Sequence, residues 1–235
     1  MLWDFESELL KTQKLKTKNL LKNVSFTILL FKSCLLLGQD LDSKKIILID
    51  PGRGGKDSGA VGEKGLQEKE VVLNIAEAIL EFNEKSKSPM EIYLTRYGDT
   101  LISLSDRTKL SKTLKADVFV SLHSNHSNNP NARGIEVYVS NQNSEFSDGA
   151  TWLAFQLQLY LNKKLGFESR GVKFANFQVL RETIGFMPSV LMELGFLSNG
   201  DESVYFQHPY SIKVLALVLW ESLIKNLDSY ERVGD

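Results

Sequence analysis

From Lys44 onward the spacing of apolar positions changes from one stretch to the next, and each change predicts an element. Ile46 to Asp50 is a short apolar run ending in Asp50-Pro51-Gly52, the pattern of a buried strand entering a turn. Val71, Val72, Ile75, Ala78, Ile79 and Phe82 then recur at three and four, which predicts a helix with one buried face. Glu91 to Arg96 reads as a second strand, Ser105 to Lys115 as a helix carrying Leu110 and Leu114 inward, and Asp117 to His123 as a third strand. Gly134 to Ser140 reads as a strand through Ile135, Val137 and Tyr138, and Gly149 to Lys164 as a helix with Trp152, Phe155 and Leu159 on one side. Val190 to Phe196 is a further strand and Ser211 to Leu227 a closing helix. Strands that alternate with helices predict one α/β domain, residues 44–235, built on a mostly parallel twisted sheet with helices on both faces.

Residues 1–43 follow another pattern. A Lys-rich stretch from Lys11 to Lys22 precedes an apolar run from Val24 to Gly38, the order of charge and hydrophobic core in a secretory signal. That run is about fifteen residues long and carries Lys32, against the roughly 20 apolar residues that a spanning helix needs. The expectation is an N-terminal export signal, with an uncleaved anchor or a mis-assigned start as the alternatives. Leu35-Leu36-Leu37-Gly38-Gln39 lacks a small-x-small cleavage pattern, and Phe31-Lys32-Ser33 before Cys34 matches a lipoprotein signal poorly.

The chain of 235 residues is 43% hydrophobic and 24% charged, enough for one sizeable core. Its formal net charge of -1 gives no reason to expect nucleic acid as a partner. Cys34 is the single cysteine, so an intramolecular disulfide and a cysteine metal cluster are both excluded, and a metal site would have to use His, Glu or Asp.

In open α/β sheets ligands bind beyond the carboxyl ends of the strands. The first strand leads into Asp50-Pro51-Gly52-Arg53-Gly54-Gly55, the third ends in Ser121-Leu122-His123-Ser124-Asn125, the Val190 strand runs into Glu193-Leu194-Gly195-Phe196, and Glu68 opens the first helix. In a parallel sheet Arg53, Glu68, His123 and Glu193 therefore converge on one rim. A His with two carboxylates suits zinc, which takes three protein ligands in catalytic sites and lowers the pKa of its bound water towards 7. Taken singly, a strand-end His is more often structural, and a Glu at a helix start more often complements the helix dipole. The Gly-rich loop lacks the Gly-Lys-Ser/Thr ending of a phosphate-binding P-loop.

At these residues the chain resembles the N-acetylmuramoyl-L-alanine amidase 3 family. The likeness covers roughly Lys45 to Leu227 and is carried by Ile47 to Ala60, Gly65-Leu66-Gln67-Glu68-Lys69-Glu70, Leu94-Thr95-Arg96, Ser121 to Asn125, Arg133-Gly134-Ile135-Glu136-Val137-Tyr138 and Met192 to Asn199, in that order. The resemblance implies a zinc-dependent hydrolase that cuts peptidoglycan between N-acetylmuramic acid and L-alanine, in cell-wall remodelling or daughter-cell separation. It implies Glu68 and His123 as zinc ligands and Glu193 as the catalytic carboxylate. It also implies an exported protein of the periplasm or cell envelope, acting as a monomer on peptidoglycan, with the need for an activator protein left open. The segment from Arg170 to Arg181 is expected to line the substrate groove.

One position departs from the family pattern. Arg53 stands where the family has its first His ligand, and a guanidinium has no free lone pair with which to bind a metal. Three outcomes are open: Arg53 swings outward and His126, three residues past His123, supplies the missing nitrogen; the guanidinium sits between Glu68 and Glu193 and replaces the metal's charge; or one zinc is held weakly by two protein ligands. The alternative to an active amidase is a catalytically silent peptidoglycan-binding or regulatory protein of the same fold.

Overall fold

A computed structural model describes residues 44–227 except Pro89, together with Lys22. Chain contacts divide the molecule into two units, Met1–Ser43 and Lys44–Asp235, and everything below concerns the second. The export signal or anchor expected over 1–43, and Cys34 with it, lie outside the described residues. Among the described residues no helix is long and apolar enough to cross a membrane.

Six strands form one sheet: β1 (Lys45–Pro51), β2 (Met90–Leu94), β3 (Val118–Asn125), β4 (Ile135–Ser140), β5 (Ser169–Ala175) and β6 (Ser189–Phe196), in the spatial order β2-β1-β3-β6-β4-β5. Ile47, Leu48 and Ile49 are fully buried, as expected of a central strand covered on both faces. The pairs are parallel except β4 with β6, which run antiparallel, so β4 and β5 form a reversed wing on an otherwise parallel sheet.

Among the described residues six α-helices cover the sheet: α1 (Glu68–Lys85), α2 (Leu104–Leu114), α3 (Ser147–Leu165), α4 (Gln178–Thr183), α5 (Gly200–Gln207) and α6 (Pro209–Leu227). The larger core packs Val71, Val72, Ile75 and Ile79 of α1, Leu153 and Leu157 of α3, and Leu215 and Leu219 of α6 against Ile47, Ile49, Val137 and Met192 of the sheet. A smaller core on the opposite face joins Leu48, Phe119 and Leu191 to Val179 and Leu180 of α4, with Leu110 and Leu114 of α2 packed against it. Fully burying one such aliphatic side chain stabilises the fold by about 1.5–3 kcal/mol, which makes the α1 stripe the main anchor of that helix.

One helix presents a different face from the one its spacing suggests, and two elements are not legible in the sequence pattern. Trp152 and Phe155 of α3 stack on each other at 6.3 Å between ring centroids but are exposed, while Ala150, Leu153, Ala154, Leu157 and Leu161 face the sheet. The side that spacing groups through Trp152 and Phe155 is thus not the one that packs: α3 packs against both α6 and the sheet, where smaller residues allow closer approach. The segment from Ser169 to Ala175 is an edge strand with little burial, which hides any apolar period. A separate helix, α5, precedes the closing one, started by Asn199, whose side chain accepts from the Glu202 amide.

Candidate functional site

Strand pairing places the site before any side chain is considered. Directly paired residues share one face of a sheet, so the pairs Leu48 with Phe119, Asp50 with Ser121, His123 with Glu193 and Glu193 with Glu136 define two polar rows above an apolar floor. The lower row is Asp50 with Ser121. The upper row, at the carboxyl ends of β3 and β6, is His123, Glu193 and Glu136.

The lower row anchors the loop after β1. Asp50 is buried and accepts from Thr95 Oγ1 at 2.6 Å, Ser121 Oγ at 2.7 Å and Arg107 Nη1 at 2.6 Å. Arg107 also donates to the carbonyls of Pro51 and Arg53, and Arg96 donates to those of Pro51 and Gly52. Two buried guanidinium groups thus take up three consecutive carbonyls that a turning chain cannot pair in a ladder. The loop they hold carries Arg53 at φ 61, a left-handed conformation that costs a residue with a Cβ on the order of 1–3 kcal/mol.

Arg53, Glu68 and His123 meet there. Glu68, the first residue of α1, is 1% exposed, and its carboxylate accepts from His123 Nδ1 at 2.6 Å, the Ala60 amide at 2.7 Å and Arg53 Nε at 3.1 Å. Burial pushes the Glu68 carboxyl up, but His123, the Ala60 amide and Arg53 outweigh it and hold it below the ordinary glutamate value. Burial likewise pushes His123 down, and the Glu68 contact outweighs that and raises it. Gly52 and Gly59 make the meeting sterically feasible. A Cβ on Gly52 would lie 2.3 Å from His123 Cε1, and one on Gly59 would lie 2.1 Å from Glu68 Oε2. Gly52→Ala is therefore expected to force the imidazole away and lower stability by about 1–3 kcal/mol; an unchanged melting temperature would show that the ring has room to spare.

Glu193 differs from its neighbours. Its Oε2 is buried and has no hydrogen-bond partner among the described residues. Burial raises it to about 7, opposed by His123 and Arg53 and reinforced by Glu68 and Glu136. Glu136 on the next strand is ionised in contrast: Arg170 Nε at 2.6 Å, Lys173 Nζ at 2.7 Å and Tyr138 Oη at 2.7 Å outweigh its burial and hold it low. Two carboxyls side by side on one face are thereby given different proton affinities, the arrangement that suits acid–base work.

A cavity of about 670 Å³ opens over this face, lined by Arg53, Leu101, Leu104, His123, Phe177 and Glu193 among others. Of the expected groove segment, Phe177 to Val179 line it, whereas Arg170 and Lys173 turn to Glu136 and Arg181 pairs with Asn176. The four rim residues expected from the sequence do come together. His126 does not: it is exposed on the loop after β3, and among the described residues no group of three His, Cys, Asp or Glu is placed to hold a metal. Arg53 reaches Glu68 and Asp57, at 3.6 Å from its Nη1, and makes no hydrogen bond or ion pair with Glu193. Zinc with three protein ligands does not fit this donor set, because one position is a cation and the two remaining candidate donors, Glu68 and His123, bond to each other.

Asp50, Arg107 and Glu136 were not singled out by sequence. Arg107 had a signal: it lies three before Leu110 and seven before Leu114, on the inward face of its helix. Glu136 had one as well, being the residue opposite in parity to Ile135 and Val137 in a strand with one face in the core.

The class defined by fold and site is an open α/β sheet that gathers unlike ionisable groups at the carboxyl ends of its strands. The chain resembles LytC, an N-acetylmuramoyl-L-alanine amidase of Bacillus subtilis, at 38% identity over 67% of its own length, and the endolysin of Bacillus phage SPP1 at 37% over 68%. It spans 30% of the first of these relatives and 57% of the second. Its structure superposes on an N-acetylmuramoyl-L-alanine amidase from Clostridium difficile 630 with a TM-score of 0.73 at 34% identity, covering 80% of this chain and 98% of that one. A family model described as N-acetylmuramoyl-L-alanine amidase matches residues 47–224, and the chain belongs to that family.

Proposed function

We propose that this chain hydrolyses the amide between N-acetylmuramic acid and the L-alanine of the peptidoglycan stem peptide, in cell-wall remodelling or daughter-cell separation. The observation that carries this reading is Glu193, a buried carboxyl with one unpartnered oxygen at the floor of a groove, in a chain of this family. A group titrating near neutrality can take a proton from water and return it within one turnover. In the proposed step water attacks the carbonyl carbon of the lactyl group, and its proton passes to Glu193. The half-exposed Arg53 guanidinium donates to the oxygen on which negative charge develops. Collapse breaks the carbon–nitrogen bond, Glu193 returns the proton to the alanine nitrogen, and a carboxylate and a free amino terminus are left. Glu68 fixes the His123 ring beside the attacked carbon.

Purified peptidoglycan incubated with the full chain is expected to gain free alanine amino groups without new reducing sugar ends. Sedimentation with peptidoglycan but no release of amino groups would sink the hydrolase reading in favour of a silent binding protein. The substrate requires a location outside the cytoplasmic membrane, in the periplasm or cell envelope, with residues 1–43 as the export signal or anchor. Fusing residues 1–43 to a reporter active only after export tests that assignment, and a reporter that stays inactive refutes it.

A further inference from the structure

We propose that in this chain the Arg53 guanidinium takes the place and the charge of the metal, so that the Glu68–His123 pair is assembled by an internal cation and the site holds no zinc. The inference rests on the reading of this rim as the reaction centre. Its support is the saturation of the Glu68 carboxylate. Glu68 Oε2 accepts from Arg53 Nε at 3.1 Å and from the Ala60 amide at 2.7 Å, while Oε1 accepts from His123 Nδ1 at 2.6 Å and lies 3.4 Å from the Ser124 amide. A carboxylate offers about four lone-pair directions. All four are matched by a donor, the fourth by the longer Ser124 contact.

The chain goes to some length to keep Arg53 there. The residue holds a left-handed backbone at φ 61, and its carbonyl is fixed by Arg107 Nη2 at 2.7 Å. Its stem passes Gly59, where a Cβ would come within 2.7 Å of Arg53 Cγ. Asp57 lies 3.6 Å from the far side of the guanidinium, so the cation is held between two carboxylates. A buried Glu68 needs a neighbouring positive charge, and a planar, permanently protonated group supplies one with fixed directions. A residue free to swing into solvent would leave these contacts unmade.

The test uses the full chain, equilibrated with zinc, washed and analysed for metal, beside Arg53→His treated identically. The unsubstituted chain is expected to hold less than about a tenth of a zinc per molecule, and the variant about one, since a third ligand then completes the set. The melting temperature of the unsubstituted chain is expected to be the same in chelator and in excess zinc, while that of the variant rises with zinc. Should Arg53→His fail to fold, the metal content and melting temperature of the unsubstituted chain still decide. About one zinc per unsubstituted chain, lost in His123→Ala, would overturn the proposal. Amide release measured on the same chelated sample separates the two readings: a zinc-free chain that does not cleave keeps this inference and sinks the hydrolase, and a zinc-loaded chain overturns it whether or not it cleaves.

Discussion

Glu193→Gln is expected to lower amide release by at least about 10²-fold, the typical contribution of a positioned acid–base group, while leaving the fold intact. The amide keeps the size and shape of the carboxyl and removes only its ability to hold and return a proton. Stability should move the other way. The folded state raises Glu193 from its ordinary 4.5 to about 7, so the native protein binds this proton more tightly than the unfolded chain does. For a group raised in the fold, that contribution is fully present below pH 4.5 and is lost as pH rises through 7. Each unit of pKa corresponds to about 1.36 kcal/mol, which puts the loss on the order of 3 kcal/mol. The Gln variant, which has nothing to ionise, should accordingly be more stable than the unsubstituted chain at pH 8 to 9 and similar to it near pH 4. Its activity profile supplies a second check, because a general base must be ionised and the unsubstituted chain should gain rate as pH rises through about 7. A variant that still cleaves at the parent rate would remove Glu193 from the reaction. A variant that cleaves poorly but gains no stability at high pH would show that the carboxyl is better solvated than its burial implies.

Arg107→Met is expected to lower stability by about 3–5 kcal/mol, the usual consequence of stripping a buried charge of its partner. Arg107 and Asp50 are both almost fully buried, 2.6 Å apart, and the same guanidinium takes up the carbonyls of Pro51 and Arg53. The thioether has similar length and no donors, so Asp50 keeps only Thr95 and Ser121 while the two carbonyls lose a donor. Asp50→Asn should cost less, because Arg107 then retains both carbonyls and the amide oxygen. Chemical denaturation of the three chains measures the differences directly. Arg133→Met at the exposed Arg133–Asp201 pair is the control, and no resolvable change is expected there because solvent screens such pairs. If Arg107→Met loses no more than this control, the Asp50 network is not what holds the loop. Because that loop carries Arg53, Arg107→Met should also weaken cleavage at temperatures where the variant is still folded.

Much of this was legible in the chain alone. The apolar period of Val71 to Phe82 lies inside α1, which extends three residues further at each end, and it placed the correct face inward, because a single amphipathic helix against a sheet obeys one rule, burial of one stripe. The apolar runs of β1, β3 and β6 were equally readable, since strands covered on both sides have few polar positions to interrupt them. The rim followed from those strands: residues just past the ends of parallel neighbours must sit together, which brought Arg53, His123 and Glu193 to one edge and Glu68 to the helix above it. That Arg53 cannot ligate a metal is also sequence information, fixed by the chemistry of a guanidinium.

Tertiary structure decided what depends on partners distant in the chain. The antiparallel setting of β4 against β6 was invisible locally, because direction is set by how a connection crosses the sheet, and it alone puts Glu136 beside Glu193. The inner face of α3 turned on the close approach of α6 and the sheet, which favoured Ala150 and Ala154 over Trp152 and Phe155. The fate of Arg53 was decided in the same way. Three outcomes for this site were open in the sequence, and the placement observed, between Glu68 and Asp57 and not between Glu68 and Glu193, depends on Gly59 leaving room, Arg107 fixing the backbone, and those two carboxylates attracting the charge. Residue identity set which chemistry this rim can perform, and long-range packing set which of its charged groups face one another, because electrostatic neighbours in a folded chain are chosen by topology and not by sequence distance.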